Sequence, residues 1–454
     1  MPENGIIKKL GSEPKITLIN TILVANAFIW YVCAFRFLQN AAHLSSVSEI
    51  SLLVIITVNF LALILSALLG TSLIYKFKSR MSFLKYWMIA GVVLSAFFAV
   101  IDLTNYTSLL ITEGILGAYF GVGMPACMGY FAAATQPENR ARLGGIIILL
   151  IGLGFPILTS IGGTDAFLNL SLLALWRLSG LILIIFLKPP EKRIDMGEKV
   201  SYRSVISNKT FLLYLIPWLM FSLVNDFSMQ INNNYFSNTS IFPSNFADNY
   251  LIVENILAGA SAIVCGFLAD RKGRKRLALI GFALLGIGYA ALGLFSNNYL
   301  AAWFYVCVDG VAWGAFSMIF IVTIWGDIAQ KKSSEKYYVI GILPYLFSNF
   351  TRLSIGTYVS NNLAEGTVFS FASFFLFVAI LPLIYAPETL SDKIIKRVDL
   401  NSYVKKVLEV AKKETEKSKK EQSTKKLQEN EPEKEEVEDS PEDEEARKLA
   451  EKYY

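Results

Sequence analysis

A single histidine, four cysteines and little charge each remove a class of function from this chain. His43 has no second ligand at metal-binding spacing. Cys33, Cys127, Cys265 and Cys307 lie inside apolar runs, where cysteine packs as a small apolar residue and forms neither a disulfide framework nor a CxxC metal site. No GxxxxGK[ST] loop is present, so the chain offers no phosphate cradle for ATP. Nothing resembles a catalytic triad or a nucleic-acid module. The expectation is therefore a non-enzyme with no catalytic residue, no cofactor, no metal and no nucleic-acid partner. The opening residues, MPENGIIKKLGSEPK, also lack the apolar core of a signal peptide.

Apolar sequence is what the chain has instead. Of 454 residues, 54% are hydrophobic and only 17% charged, with a mean hydropathy of +0.46, whereas a soluble domain usually carries more charge and a lower apolar fraction. Twelve apolar runs predict membrane spans at 16–39, 50–75, 84–103, 107–133, 143–163, 167–187, 210–235, 247–268, 277–296, 299–326, 338–359 and 367–386. Each is long enough for a hydrocarbon core about 30 Å thick. They are too long and too continuously apolar for barrel strands, so helices must satisfy the backbone. The expected fold class is all-α integral membrane, with twelve transmembrane helices.

Basic residues orient the spans. Of the 26 Lys and Arg before Pro387, Arg36, Arg177 and Arg352 fall well inside predicted spans and Lys85 flanks the start of one. The others occupy the N-terminal arm and alternate loops, which by the positive-inside rule places both termini in the cytoplasm of a multi-pass cell-membrane protein. A polar link, 188–209, separates an N-terminal six-helix bundle (1–187) from a C-terminal one (210–386). The remainder, 387–454, holds 16 bases and 19 acids with few large apolar residues. Such a tail buries too little surface to fold alone, and its basic first part suits contact with anionic lipid.

An internal register of 196 residues relates the two sets of six. Gly70 opens GTSLIYKFKSR and Gly266 opens GFLADRKGRKR; Glu113-Gly114 answers Asp309-Gly310, and Arg140 and Gly145 answer Lys336 and Gly341. The halves read as pseudo-symmetric repeats, which in transporters meet at a midplane substrate site.

GFLADRKGRKR resembles the G-x-x-x-D-R-x-G-R-[KR] signature of the major facilitator superfamily, and EGILGAYFGVGMPACMGYFAAATQPENRARLGG is similar to its glycine-rich fourth helix and exit. The resemblance covers about 385 residues and excludes the tail. It implies two six-helix bundles that expose a shared site to either side in turn. It also implies a conformational latch built from Gly266, Asp270, Arg271, Gly273 and Arg274, with Asp270 accepting from a neighbouring helix N-terminus or a nearby arginine. The first-half copy departs from the signature: Ile74 replaces the acid and Phe77 the turn glycine, which predicts an asymmetric gate.

Ionisable groups in lipid are costly and so are functional candidates. Substrate binding or proton coupling is assigned to Arg36, Glu113, Asp226, Gln230, Asn232, Glu254 and Asp309. Three roles stay open for these charges: loading a proton, holding solute, or closing the outer gate through a pair of the Arg36–Glu113 type. A buried carboxylate is pushed towards its neutral form by desolvation and towards its charged form by a nearby Arg, which suits the first role. The polar stretch NDFSMQINNNYF is weakly similar to helix 7 of sugar porters, and APETLSDK to their P-E-T ending. A polar solute such as a sugar or other metabolite is expected, carried by a monomeric symporter in the lipid bilayer and driven by a proton or solute gradient. The alternatives are a transporter-like sensor that signals through its tail, or a drug or metabolite exporter of the same fold.

Overall fold

The computed structural model describes residues 14–44, 47–77, 79–189, 198–330 and 332–390. The N-terminal arm, most of the linker's first part and the tail from 391 lie outside the described residues. Among the described residues twelve long helices form the body: α1 Pro14–Leu44, α2 Glu49–Leu73, α3 Arg80–Ala99, α4 Tyr106–Ala134, α5 Pro137–Gly162, α6 Ala166–Leu187, α7 Lys209–Phe236, α8 Phe246–Lys272, α9 Arg274–Leu294, α10 Tyr299–Ala329, α11 Glu335–Asn362 and α12 Glu365–Tyr385. Eleven of the twelve are long and apolar enough to cross a membrane. The exception is α11, whose 28 residues suffice in length but include Ser348, Asn349, Thr351 and Arg352 along its middle. Large apolar side chains such as Leu69, Phe186 and Leu300 are exposed on the outer faces, as a lipid-facing surface requires.

Helices start where the sequence supplies caps. Ser48, Ser79, Asn105, Asp165, Asn208 and Asn298 each accept a backbone N–H from the first turn of α2, α3, α4, α6, α7 and α10. Several helices also run beyond the apolar windows expected from sequence. α5 begins at Pro137 instead of 143, and α3 covers Arg80–Ala99 instead of 84–103. The polar turns are retained because their charges are paired and buried.

Neighbour relations recur with an offset of six helices. In the first half α2 packs on α4, α3 on α6, and α1 on α5 and α6; in the second, α8 packs on α10, α9 on α12, and α7 on α11 and α12. The halves meet along α5–α8 and α2–α11, which are each other's equivalents under the same offset. Close approach at α5–α8 depends on two glycines: a Cβ on Gly145 would stand 2.2 Å from the Ala262 carbonyl oxygen, and one on Gly266 would stand 2.6 Å from that of Ala141.

Candidate functional site

One end of the molecule is interlocked by buried ion pairs. Arg80 of α3 reaches Glu335 of α11 at 2.5 Å, Arg140 of α5 reaches Asp327 of α10 at 2.5 Å, and Arg142 of α5 reaches Asp270 of α8 at 2.9 Å. In these pairs the first half supplies the arginine and the second half the acid. Asp270 does more than pair. It accepts the backbone N–H groups of Ala141 and Arg142 at 3.2 and 3.0 Å, so it docks onto the first turns of α5, where the helix dipole favours negative charge. Arg274 is fully buried between Asp270 at 3.0 Å and Asp327 at 2.9 Å, and also donates to the Pro137 carbonyl of the other half.

Gly266, Asp270, Gly273 and Arg274 thus converge, but the structure does not bring Arg271 with them. It is exposed, and what it adds here is charge. Gly273 has φ +97°, a conformation that costs glycine nothing, and it lies against Glu388, whose carboxylate accepts the N–H groups of Arg274 and Lys275 at 2.9 and 3.0 Å. The P-E-T segment therefore caps α9.

The degenerate first copy is rewired. Ile74 is buried where the signature has its acid, and the charge comes from across the interface as Glu335, held by Arg80 and by Ser333 Oγ at 2.5 Å. Tyr75 of the first half donates to Ser333 at 3.0 Å. The linker's second part joins this end too: Tyr202 stands 2.9 Å from Thr71 Oγ1, and the Ser333 N–H donates to the Glu198 carbonyl. Burial pushes the Tyr202 phenol above its ordinary range, so it acts there as a neutral hydrogen-bonding group.

Away from the interlock, α7 and α11 form a polar site. Asp226 lies 3.5 Å from Arg352 and accepts from Ser348 Oγ; Arg352 also donates to Asn349 at 2.9 Å. Trp313 of α10 donates to Asn225 at 2.8 Å and stands edge-on to Tyr345, 6.1 Å between ring centres. Aromatic walls, amides and a partly open ion pair are the components of a site for a small polar molecule. Near the midpoint of α2, Phe60 stacks on Phe350 of α11 at 4.7 Å.

The polar face of α7 divides. Asn225 and Asp226 meet Trp313 of α10 and Ser348 and Arg352 of α11, whereas Ser228 and Asn232 meet Tyr289 of α9 and Tyr305 of α10. Gln230 is half-buried. An Arg36–Glu113 pair is not formed. Arg36 is exposed, and the Glu113 carboxylate receives Asn59 Nδ2 from α2 at 2.7 Å. Asn59, Ser348, Tyr345, Trp313 and the acids Asp327 and Glu335 join these sites without having been marked by sequence. Glu254 of α8 and Asp309 of α10 lie outside the α7–α11 site: Asp309 accepts from Tyr305 at 3.1 Å, and the Glu254 backbone carbonyl backs onto Gly310.

The family model described as Major Facilitator Superfamily matches residues 17–338. A search of curated proteins finds no match. Among solved structures the chain is similar to the proton:xylose symporter XylE bound to 6-bromo-6-deoxy-D-glucose, with 15% identity and a TM-score of 0.62 over 83% of this chain and 96% of the other. A double-tryptophan mutant of XylE gives 16% and 0.61 over 85% and 98%. The human organic anion transporter MFSD10 gives 13% and 0.59 over 82% and 100%. At these identities the likeness is one of fold.

Proposed function

Because the chain belongs to the major facilitator superfamily, we propose that it moves a small polar solute across a membrane by alternating access, with the interlocked end facing the cytoplasm. All twelve helices cross in this reading, α11 included, since its polar middle faces α7 instead of lipid. Both termini are cytoplasmic, as the distribution of basic residues requires. The observation that carries the proposal is the set of three ion pairs that, among the described residues, join the halves at the interlocked end, beside a polar site at the α7–α11 face. Pairs of this kind hold one arrangement without fusing the halves, because in the other arrangement water rehydrates both partners.

Asp226 and Arg352 are the proposed solute contacts, with Asn225, Trp313 and Tyr345 around them. Opposite charges beside amides and aromatic rings suit a polyhydroxylated or zwitterionic solute: hydroxyls exchange for the Ser348 and Asn349 hydrogen bonds, and a zwitterion divides the ion pair. The sugar-symporter neighbours are compatible with the first choice. A thermal-shift screen of sugars, amino acids and organic anions on the purified protein identifies the class, and uptake of the responding solute into proteoliposomes tests transport. Asp226→Asn and Arg352→Gln should each abolish the shift. A solute that still stabilises both variants would remove this site from consideration.

A further inference from the structure

The first copy of the repeat leaves a gap that the second one closes. Between α3 and α4 runs an apolar groove of about 440 Å³, from Phe77 and Phe83 at the interlocked end to Leu94 and Ile115, with Trp87 and Tyr119 as its floor. Val93 and Ile111, large apolar side chains on the same two helices, are exposed, so the groove opens on the lipid-facing surface. At the matching register of 196 residues Trp87 and Tyr119 become Ala283 and Ala315. Two rings fill space between α3 and α4, whereas two alanines leave that space to the helices, and α9 packs on α10. Tyr86 is accordingly 64% exposed, while its counterpart Phe282 is fully buried against Phe316, 4.5 Å between ring centres.

The floor is fixed from behind. Trp87 Nε1 donates to the Tyr119 carbonyl at 2.8 Å, and a Cβ on Gly123 would clash with the indole, so glycine gives the ring its place. Arg177 of α6, fully buried, lies 4.2 Å over the Trp87 ring and donates to the Tyr119 hydroxyl at 2.9 Å. Rings held on several sides do not fall into the groove. A fixed apolar channel gains its dispersion contacts only from something that fills it, and loses little freedom in the filling.

Length and charge say what fills it. Phe83 to Leu94 spans about 17 Å of helix, which matches one leaflet of a hydrocarbon core about 30 Å thick. Between Glu49 and Asp102 the sequence has no acid and four bases, Lys76, Lys78, Arg80 and Lys85. Arg80 is held by Glu335, whereas Lys76 is exposed and Lys85 half-buried near the start of α3. Phe77 follows Lys76 where the second half has its turn glycine, Gly273. Its ring, edge-on to Phe83 at 5.0 Å, ends the apolar channel beside those bases. We propose that the α3–α4 groove binds one acyl chain of an anionic phospholipid from the leaflet at the interlocked end, with the phosphate at Lys76 and Lys85. The site lies apart from the α7–α11 face and holds whatever the solute.

Phosphatidylglycerol with a photoreactive acyl chain, mixed into phosphatidylcholine vesicles that hold the full chain, tests this by peptide mapping. Label should concentrate on 83–94 and 115–122, and unlabelled phosphatidylglycerol should displace it where an equal amount of phosphatidylcholine does not. Lys76→Gln and Lys85→Gln should each reduce that headgroup preference roughly fivefold, through loss of one charge near the membrane surface. Ala90→Trp fills the groove at an exposed position, so label should leave both segments while the background on Phe186 of α6 stays the same. Label spread evenly over α3 and exposed residues such as Phe186 would overturn the proposal, since the lipid would then be an ordinary neighbour. Equal competition by phosphatidylcholine would overturn it too, as would cross-links from the groove to a second copy of this chain.

Discussion

Asp270→Asn asks whether the interlocked end holds the halves together. Asp270 is 2% exposed and accepts from two backbone N–H groups of α5, from Arg142 Nε at 2.9 Å and from Arg274 Nη2 at 3.0 Å. Asparagine keeps the shape but supplies one oxygen, and its amino group must face either the α5 amides or a guanidinium, donor against donor. Arg274 retains Asp327, whereas Arg142 loses its carboxylate. Removing one member of a buried pair costs about 3–5 kcal/mol. Separated halves would expose these groups to water, so the cost falls on the closed arrangement and lowers the closed-to-open ratio roughly a hundredfold to a few thousandfold. Amide hydrogen exchange reads this directly. Exchange across 138–145 and along the facing end of α8 should accelerate by that factor, with the interior of α1 unchanged. Unaltered exchange at 138–145, or equal acceleration in every helix, would refute the reasoning.

Glu335→Gln should weaken the same end from the other side, because Arg80 is buried against it; exchange at the start of α11 should rise by a similar factor. Gly266→Ala places a methyl group 2.6 Å from the Ala141 carbonyl oxygen, which must move. Overpacking of this kind costs about 1–3 kcal/mol, so exchange in α5 should rise roughly fivefold to 150-fold, with the individual bundles as protected as before.

Much of this architecture is legible in the amino-acid sequence, because length and hydropathy decide helices in lipid and a duplicated register exposes the repeat. The docking of Asp270 onto a neighbouring helix N-terminus and arginines is legible for a local reason: its motif is contiguous. The rest of the interlock is not. Arg80 and Glu335 lie 255 residues apart and Arg140 and Asp327 187 apart, and no spacing rule joins them. They also stand at helix ends, where a charged residue reads as a solvated loop until tertiary packing buries it. Asp226 and Arg352 each stand out as charges within apolar spans, but their pairing depends on α7 lying against α11. The polar run of α7 looks like one lining surface, but Asp226 and Ser228 are two residues apart, roughly 200° around the helix, so Asp226 meets Ser348 and Arg352 of α11 while Ser228 and Asn232 meet Tyr289 and Tyr305. Ser317–Thr323 in α10 is wound as a π-helix, just before Asp327, and its composition does not announce it.

Rocking of two rigid halves predicts opposite movements at the two ends, which spin-label distances measure. One pair of labels replaces Lys76 and Lys272, exposed and matched in the repeat at the interlocked end; the other replaces Asp102 and Asn298, exposed and matched at the far end. On introducing Asp270→Asn, the first distance should lengthen while the second shortens. If both lengthen, or if the first lengthens and the second stays fixed, the halves do not pivot about a central site.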